Sequence, residues 1–221
     1  MVQLDVGAGA CVDGVFWLAG GAQSLQLASI YSQQEANSAL RLSAVAEGGA
    51  LLRVDVVADL LGDAAQFAFG GVQCLQGNEV GDFHVRVNHR ALACESVQAV
   101  RGVLDEEALG IFDGLIYVAE GAQQTDAKQD SRYILLSEQA KSHSVPRLEI
   151  YADDVQCAHG STVGYVDPDA LFYLQSRGIT EAEARRILIL SFLHEAVVVT
   201  HEELEAQLHE AISDFWLERE G

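Results

Sequence analysis

The chain has 221 residues, enough for one domain with a sizeable core and a small appendage. Hydrophobic residues make up 49% and charged residues 21%, which excludes a disordered chain. Lys and Arg number 13 against 33 Asp and Glu, so a net charge of −20 argues against phosphate backbones and anionic membrane surfaces as partners.

In chain order, the first clear pattern is alternation. Leu52, Val54, Val56, Ala58 and Leu60 alternate with Arg53, Asp55, Val57 and Asp59, and Phe83, Val85 and Val87 alternate with His84, Arg86 and Asn88. Similar runs follow at Val97–Leu104, Ile111–Val118, Arg132–Leu136 and Leu148–Tyr151. Period-two alternation between turn residues predicts half-buried strands. Short turns recur at Gly49-Ala50, Asp63-Ala64, Glu107-Ala108, Gly121-Ala122, Gln139-Ala140 and Asp154-Val155. In the later series they lie about 14 to 18 residues apart, a degenerate repeat read as two short strands per unit. Units of that kind bury a face by stacking into a β-solenoid, while an antiparallel sandwich has similar strands and turns. The alternation by itself leaves both open.

Beyond residue 166 the pattern becomes helical, which divides the chain into a β core over 1–166 and a helical domain over 167–221. Asp167 is placed to cap a helix with Pro168 at its first position, and Gly178 to end it. Thr180 with Glu183 forms a capping box ahead of Ile187, Leu190 and Val197. Thr200 with Glu203 repeats it ahead of Leu204, Leu208, Ile212 and Phe215. The last helix carries an apolar stripe, with Glu202, Glu205, Glu210 and Glu218 largely elsewhere. That stripe suits packing on its own domain or docking to another protein.

No stretch fits a phosphate-binding loop, a nucleophile elbow or H-E-x-x-H. No basic residue precedes Arg41, so no secretory leader is read. The longest strongly apolar run, Ile187 to Val199, is broken by His194-Glu195 and is too short to span a bilayer, so the expected location is the cytoplasm. Cys11, Cys74, Cys94 and Cys157 form no C-x-x-C pair and are expected to be unlinked, mostly buried thiols. His84, His89 and Cys94 are spaced by five, which on a continuous strand sets neighbours on opposite faces, and they read as surface or core residues. Cys157 and His159 differ. On an extended strand they share a face, with Cα atoms about 7 Å apart. A thiolate and an imidazole suit iron, zinc or sulfur chemistry, but two ligands cannot close a tetrahedral site, so the rest would come from another strand or another chain. The alternative is a buried thiol beside a hydrogen-bonded histidine. Asp126, Lys128, Asp130 and Arg132 alternate with Gln129 and Ser131, and could imitate a polysaccharide-processing face on a parallel sheet.

Residues 147–179 carry a longer signature: LEIYADDV, then C-x-H-G, then T-V-G, then LFYL-x-SRGI. This tract closely resembles the SufB/SufD family of iron–sulfur cluster assembly proteins. Phe112-Asp113-Gly114-Leu115-Ile116-Tyr117-Val118 and Gln124-Thr125-Asp126-Ala127 resemble further family segments upstream. The resemblance implies a right-handed parallel β-helix followed by a small helical domain. It implies a non-catalytic scaffold that pairs with a SufB-like scaffold through the β-helix and with a SufC-like ATPase through the C-terminal helices, here Leu171, Phe172, Tyr173, Arg177 and Gly178. It implies no intrinsic cofactor, and a nascent iron–sulfur cluster at a subunit interface reached by His159 and Cys157 only jointly with a partner chain. The Y-A-D-D-V-x-C-x-H-G form resembles the SufD version. Ser131 stands where a SufB-type scaffold would carry its cluster-building cysteine. A homodimer through the same strands is the alternative assembly. Family members usually have a longer N-terminal region, so a short homologue or a fragment is expected.

Overall fold

A computed structural model describes the backbone of residues 1–21 and 23–220 and the side chains of residues 1–21 and 23–217. Among the described residues, twelve strands precede three helices: β1 (Val2–Val6), β2 (Cys11–Ala19), β3 (Leu25–Gln34), β4 (Ala39–Glu47), β5 (Leu51–Leu60), β6 (Gln66–Leu75), β7 (Val80–His89), β8 (Glu95–Leu104), β9 (Leu109–Val118), β10 (Thr125–Leu135), β11 (Lys141–Ile150), β12 (Val155–Gly164), α1 (Pro168–Ser176), α2 (Glu181–His194) and α3 (Glu202–Glu220). Odd strands form one parallel sheet in the order β1-β3-β5-β7-β9-β11, and even strands a second, β12-β10-β8-β6-β4-β2. The chain is thus a parallel β-solenoid of about six coils, not an antiparallel sandwich.

Stacked strands are separated by 26 residues where Leu25 lies opposite Leu51, and by 32 where Lys141 lies opposite Leu109. The 14–18-residue period therefore holds one strand and one turn rather than two short strands, and two periods make a coil. The turns from odd to even strands share a device. Gly9, Asn37, Ala64, Ala93 and Gln124 all have positive φ, and each donates its N–H to a carbonyl of the next coil: Ala36, Asp63, Leu92, Gln123 and Asp154. A left-handed residue bends the chain sharply, and the outward N–H is satisfied by stacking. Among the described residues all four cysteines lack disulfides, with Cys74 and Cys94 buried, Cys157 half-buried and Cys11 exposed.

The main core lies between the sheets. Leu52, Val54, Val56, Ala58 and Leu60 all point into it, as do Phe67, Phe69, Phe83, Val85, Val87 and Phe112. Phe69 and Phe83 meet edge to face, with centroids 5.9 Å apart. Glycine makes room where an aromatic ring crosses the coil: a Cβ on Gly102 would lie 2.2 Å from the Tyr133 ring. The outer face of the even sheet is also apolar, because the helices cover it. Val45, Val72, Cys74 and Val103 pack there with Ile189, Leu193, Leu208, Ile212 and Trp216. This double burial removes the alternation from β6 (QFAFGGVQCL), which explains why that strand is absent from the runs read above.

The tail follows its start signals in part. Asp167 caps α1, accepting from the N–H of Asp169 and Ala170, and the Thr180 hydroxyl accepts from Glu183 N at the start of α2. α2 stops at His194, so Val197 is not helical as expected. Residues after α2 instead run across the even sheet, where a Cβ on Gly70 would lie 1.8 Å from the Ala196 carbonyl oxygen. Only a residue without a side chain allows that approach. The buried residues of α2 are Ala184, Ile189 and Leu193, whereas Ile187 is exposed. Thr200 does not cap α3 through a box with Glu203. Its hydroxyl and N–H, with the N–H of His201, donate to the Asp13 carboxylate of β2, an anion held at the helix start. Gly221, the end of the expected helical domain, lies outside the described residues.

Candidate functional site

The last coil, β11 and β12, stands at the end of both sheets, and each strand pairs on one side only among the described residues. Its inward positions are read from register. Val155, Cys157, His159, Ser161 and Val163 of β12 stack on Thr125, Ala127, Gln129, Ser131 and Tyr133 of β10. Ser142, Ser144, Pro146 and Leu148 of β11 stack on Gly110, Phe112, Gly114 and Ile116 of β9. The β10 residues are buried, and their β12 counterparts are half-buried or exposed, since no further coil covers them among the described residues.

The two residues singled out from C-x-H-G therefore share one face of one strand, as the spacing predicts. Their surroundings differ. Cys157 packs at the edge of a small cluster with Ile116, Val118, Ala122, Ala127 and Ala152. Burial, then the nearby Asp126 carboxylate, pushes its thiol up from the ordinary cysteine value, against a hydrogen bond from the Ala127 backbone. The thiol is thus neutral at pH 7, and metal binding would have to expel its proton. His159 is exposed, and its ring makes no hydrogen bond among the described residues. No cluster of three or more His, Cys, Asp or Glu capable of holding a metal ion occurs among the described residues.

Ser131 is fully buried one coil further in, its Oγ 2.5 Å from Ser144 Oγ. Asp126, Lys128, Asp130 and Arg132 share the outer face of β10, but they pair with one another and with neighbours: Lys128 with Asp126 at 3.1 Å, and Arg132 with Asp130 at 3.0 Å. Arg101, buried, binds Asp130 at 2.7 Å and Glu195 at the end of α2 at 3.1 Å. These charges fasten the helical tail to the solenoid, and the Asp130 carboxylate is fully engaged. Of the other candidates, His84 lies on the outer face of the odd sheet against Asp82 at 2.8 Å, His89 is buried against Ser96 Oγ at 2.8 Å, and the buried Cys94 thiol donates to the Gly62 carbonyl at 3.4 Å.

Residues 1–192 match the family model described as the SufBD core domain of SUF-system FeS cluster assembly. The chain belongs to the SufBD family. It is 35% identical over 156 residues to the iron–sulfur cluster assembly protein SufD of Escherichia coli, covering 71% of this chain and 37% of that protein. It is 32% identical over 193 residues to an iron–sulfur cluster assembly SufBD family protein of Synechocystis (86% and 42%), and 39% identical over 118 residues to SufD of Bacillus subtilis (53% and 27%). The chain spans less than half the length of these relatives.

In this SufBD-family chain the second surface expected to bind a partner is α1. It buries none of its residues. Phe172 is 71% and Tyr173 57% exposed, while Leu171 is half-buried. Arg177 stacks over the Tyr173 ring at 5.1 Å, and Gly178 takes a φ of 88° just past the helix end. An apolar cavity of about 390 Å³, lined by Ile134, Val163, Tyr165, Ala170, Leu188 and Phe192, joins α1 to the last coil.

Sequence reading missed the residues beneath His159. Leu42, Phe69, Gln98, Gln129 and His159 occupy one inward row across five strands. Gln98 and Gln129 are both buried, and Gln129 Nε2 donates to Gln98 Oε1 at 3.2 Å. The available signal was the spacing of Gln129 two residues from Ala127 and Ser131, in phase with the inward residues. Glutamine is rarely expected there.

Proposed function

We propose that this chain acts as a SufD-like, non-catalytic scaffold subunit of a cytoplasmic SUF-type complex that assembles iron–sulfur clusters. The observation that carries the reading is the open last coil, where two strand edges, unpaired among the described residues, lie beside an exposed imidazole. Unpaired edges add strands readily, and β11 and β12 are the surfaces on which a SufB-like scaffold pairs. The nascent cluster is cargo at that junction. His159 supplies one ligand from this side, Cys157 a second once iron displaces its proton, and the partner chain the rest. α1 presents Phe172 and Tyr173 to a SufC-like ATPase, whose hydrolysis of ATP drives the cycle.

The test is co-purification with the host's SufB-like and SufC-like proteins, followed by cluster assembly in the reconstituted complex. His159→Ala should leave the complex intact and abolish assembly. Full assembly in that variant removes His159 from the mechanism. Phe172→Ala with Tyr173→Ala should release the ATPase while sparing the pairing of the scaffolds. A chain that forms only homodimers and ignores both proteins would overturn the heteromeric assembly.

A further inference from the structure

Resting on the reading of His159 as a cluster ligand, we propose that Gln129 is its positioning residue, whose side-chain carbonyl accepts a hydrogen bond from one ring nitrogen and leaves the other bare toward iron. Gln129 lies directly across from His159 in the register of β10 and β12, on the same inward face. Neighbouring strands of a sheet are roughly 4.8 Å apart, so the end of a glutamine side chain reaches the adjacent ring.

Three features fix Gln129 for this task. It is only 2% exposed. Its amide nitrogen is tied to Gln98 Oε1 in the coil below, which turns the remaining oxygen away from that bond. Gly114 of the facing sheet leaves it room, since a Cβ there would lie 3.0 Å from Gln129 Nε2. The oxygen Oε1 is buried with no hydrogen-bond partner. A buried acceptor left unpaired is costly, and it recruits a donor within reach. Rotation of the His159 side chain supplies one without moving the backbone.

The chemical consequence follows from the imidazole. In its neutral form one nitrogen carries the proton and only the other can bind a metal, and the hydrogen bond made by the protonated nitrogen selects the tautomer. A free ring would divide between two tautomers. A ring held by Gln129 has one. The gradient along the row, from Leu42 and Phe69 to Gln98, Gln129 and His159, places the acceptor one coil beneath the ligand, where solvent does not compete for it.

The decisive measurement is long-range proton–nitrogen correlation of the histidine rings in the purified full chain above pH 8, with the His159 signal identified by its loss in His159→Ala. The wild type should show a single neutral tautomer at His159, and Gln129→Leu a mixture. A mixture in the wild type overturns the proposal and needs no variant to fold. In the reconstituted complex, Gln129→Leu should slow cluster assembly on the order of 10- to 100-fold, the usual loss when a partner of a metal-bound histidine is removed. Unchanged assembly in a folded Gln129→Leu chain overturns the proposal while leaving His159 in place. Full assembly in His159→Ala instead removes the ligand reading, whatever the tautomer.

Discussion

The middle coils and the last coil are built on the same strand geometry, yet they fill it differently. In the odd sheet, Val54, Phe83, Phe112 and Ser144 occupy one inward row on β5, β7, β9 and β11. The first three are fully buried, and the last is a serine at the open end. In the even sheet, the row that runs through Leu42 and Phe69 ends with Gln129 and His159. An inward position in the middle is enclosed by coils on both sides, so most such positions are apolar, and a polar group there is costly unless it finds a partner. The same position in the last coil has one neighbour and one open side. It is released from core packing and can hold groups chosen for chemistry.

The sharpest way to break this contrast is to truncate one row at both places. Phe83→Ala removes a ring that meets Phe69 edge to face and fills the space over Gly71, where a Cβ would lie 2.7 Å from it. The expected loss is about 3–5 kcal/mol in urea unfolding. Ser144→Ala, two coils on in the same row, deletes the bond to Ser131 and should cost about 1 kcal/mol. Equal losses would mean that the last coil is as much part of the core as the middle.

Acid gives the next largest separation. His89 is fully buried at the end of β7, and burial pushes its pKa down from 6.5 to about 4. Below 6.5 the unfolded chain takes up a proton there and the folded chain does not until about 4. The stabilisation is therefore whole above pH 6.5, declines as pH falls through that window, and is lost by about pH 4. The expected contribution is about 3 kcal/mol. Carboxylates add slopes of their own, so the measurement is the difference in unfolding free energy between pH 7 and pH 4.5, wild type against His89→Leu. The variant should be less stable at pH 7, because Ser96 loses its partner, but its curve should be the flatter one. An identical slope would remove His89 as the acid-sensitive point of the middle coils.

The same contrast explains what the sequence made legible. Leu52 to Leu60 and Phe83 to Val87 have a polar outer face, so period two is written in the residues and the strands are plain. The resemblance at residues 147–179 pointed to the solenoid that alternation left undecided. β6 hides its period because both of its faces are covered, and Val197 reads as helical because apolar spacing cannot tell a helix from an extended segment pressed on a sheet. At the candidate site, Cys157 and His159 were legible as a pair because they are neighbours on one strand. Gln98 and Gln129 were not, because their relation to His159 runs across strands about thirty residues apart, and only the register reveals it. Thr200 shows the same limit: its partner Asp13 lies 187 residues away.

The smallest expected effect lies where the solenoid hands over to the helices. Asp167 accepts from Asp169 N at 2.9 Å and Ala170 N at 3.4 Å, and both bonds are exposed. Asp167→Ala should cost about 1 kcal/mol locally. α1 fully buries none of its own residues, and in its first turn Ala170 and Leu171 are only half-buried, so the cap carries much of what holds that turn. Global unfolding, governed by the middle coils, should hardly move. Hydrogen exchange should instead rise at the amides of Asp169 to Phe172 by about fivefold, the equivalent of that energy. Affinity for a partner that grips Phe172 and Tyr173 should weaken by a similar factor, since a frayed helix must be ordered on binding. A loss of global stability matching the local one would place α1 in the same cooperative unit as the core. Unchanged global stability with faster exchange would mark α1 as a separately melting surface.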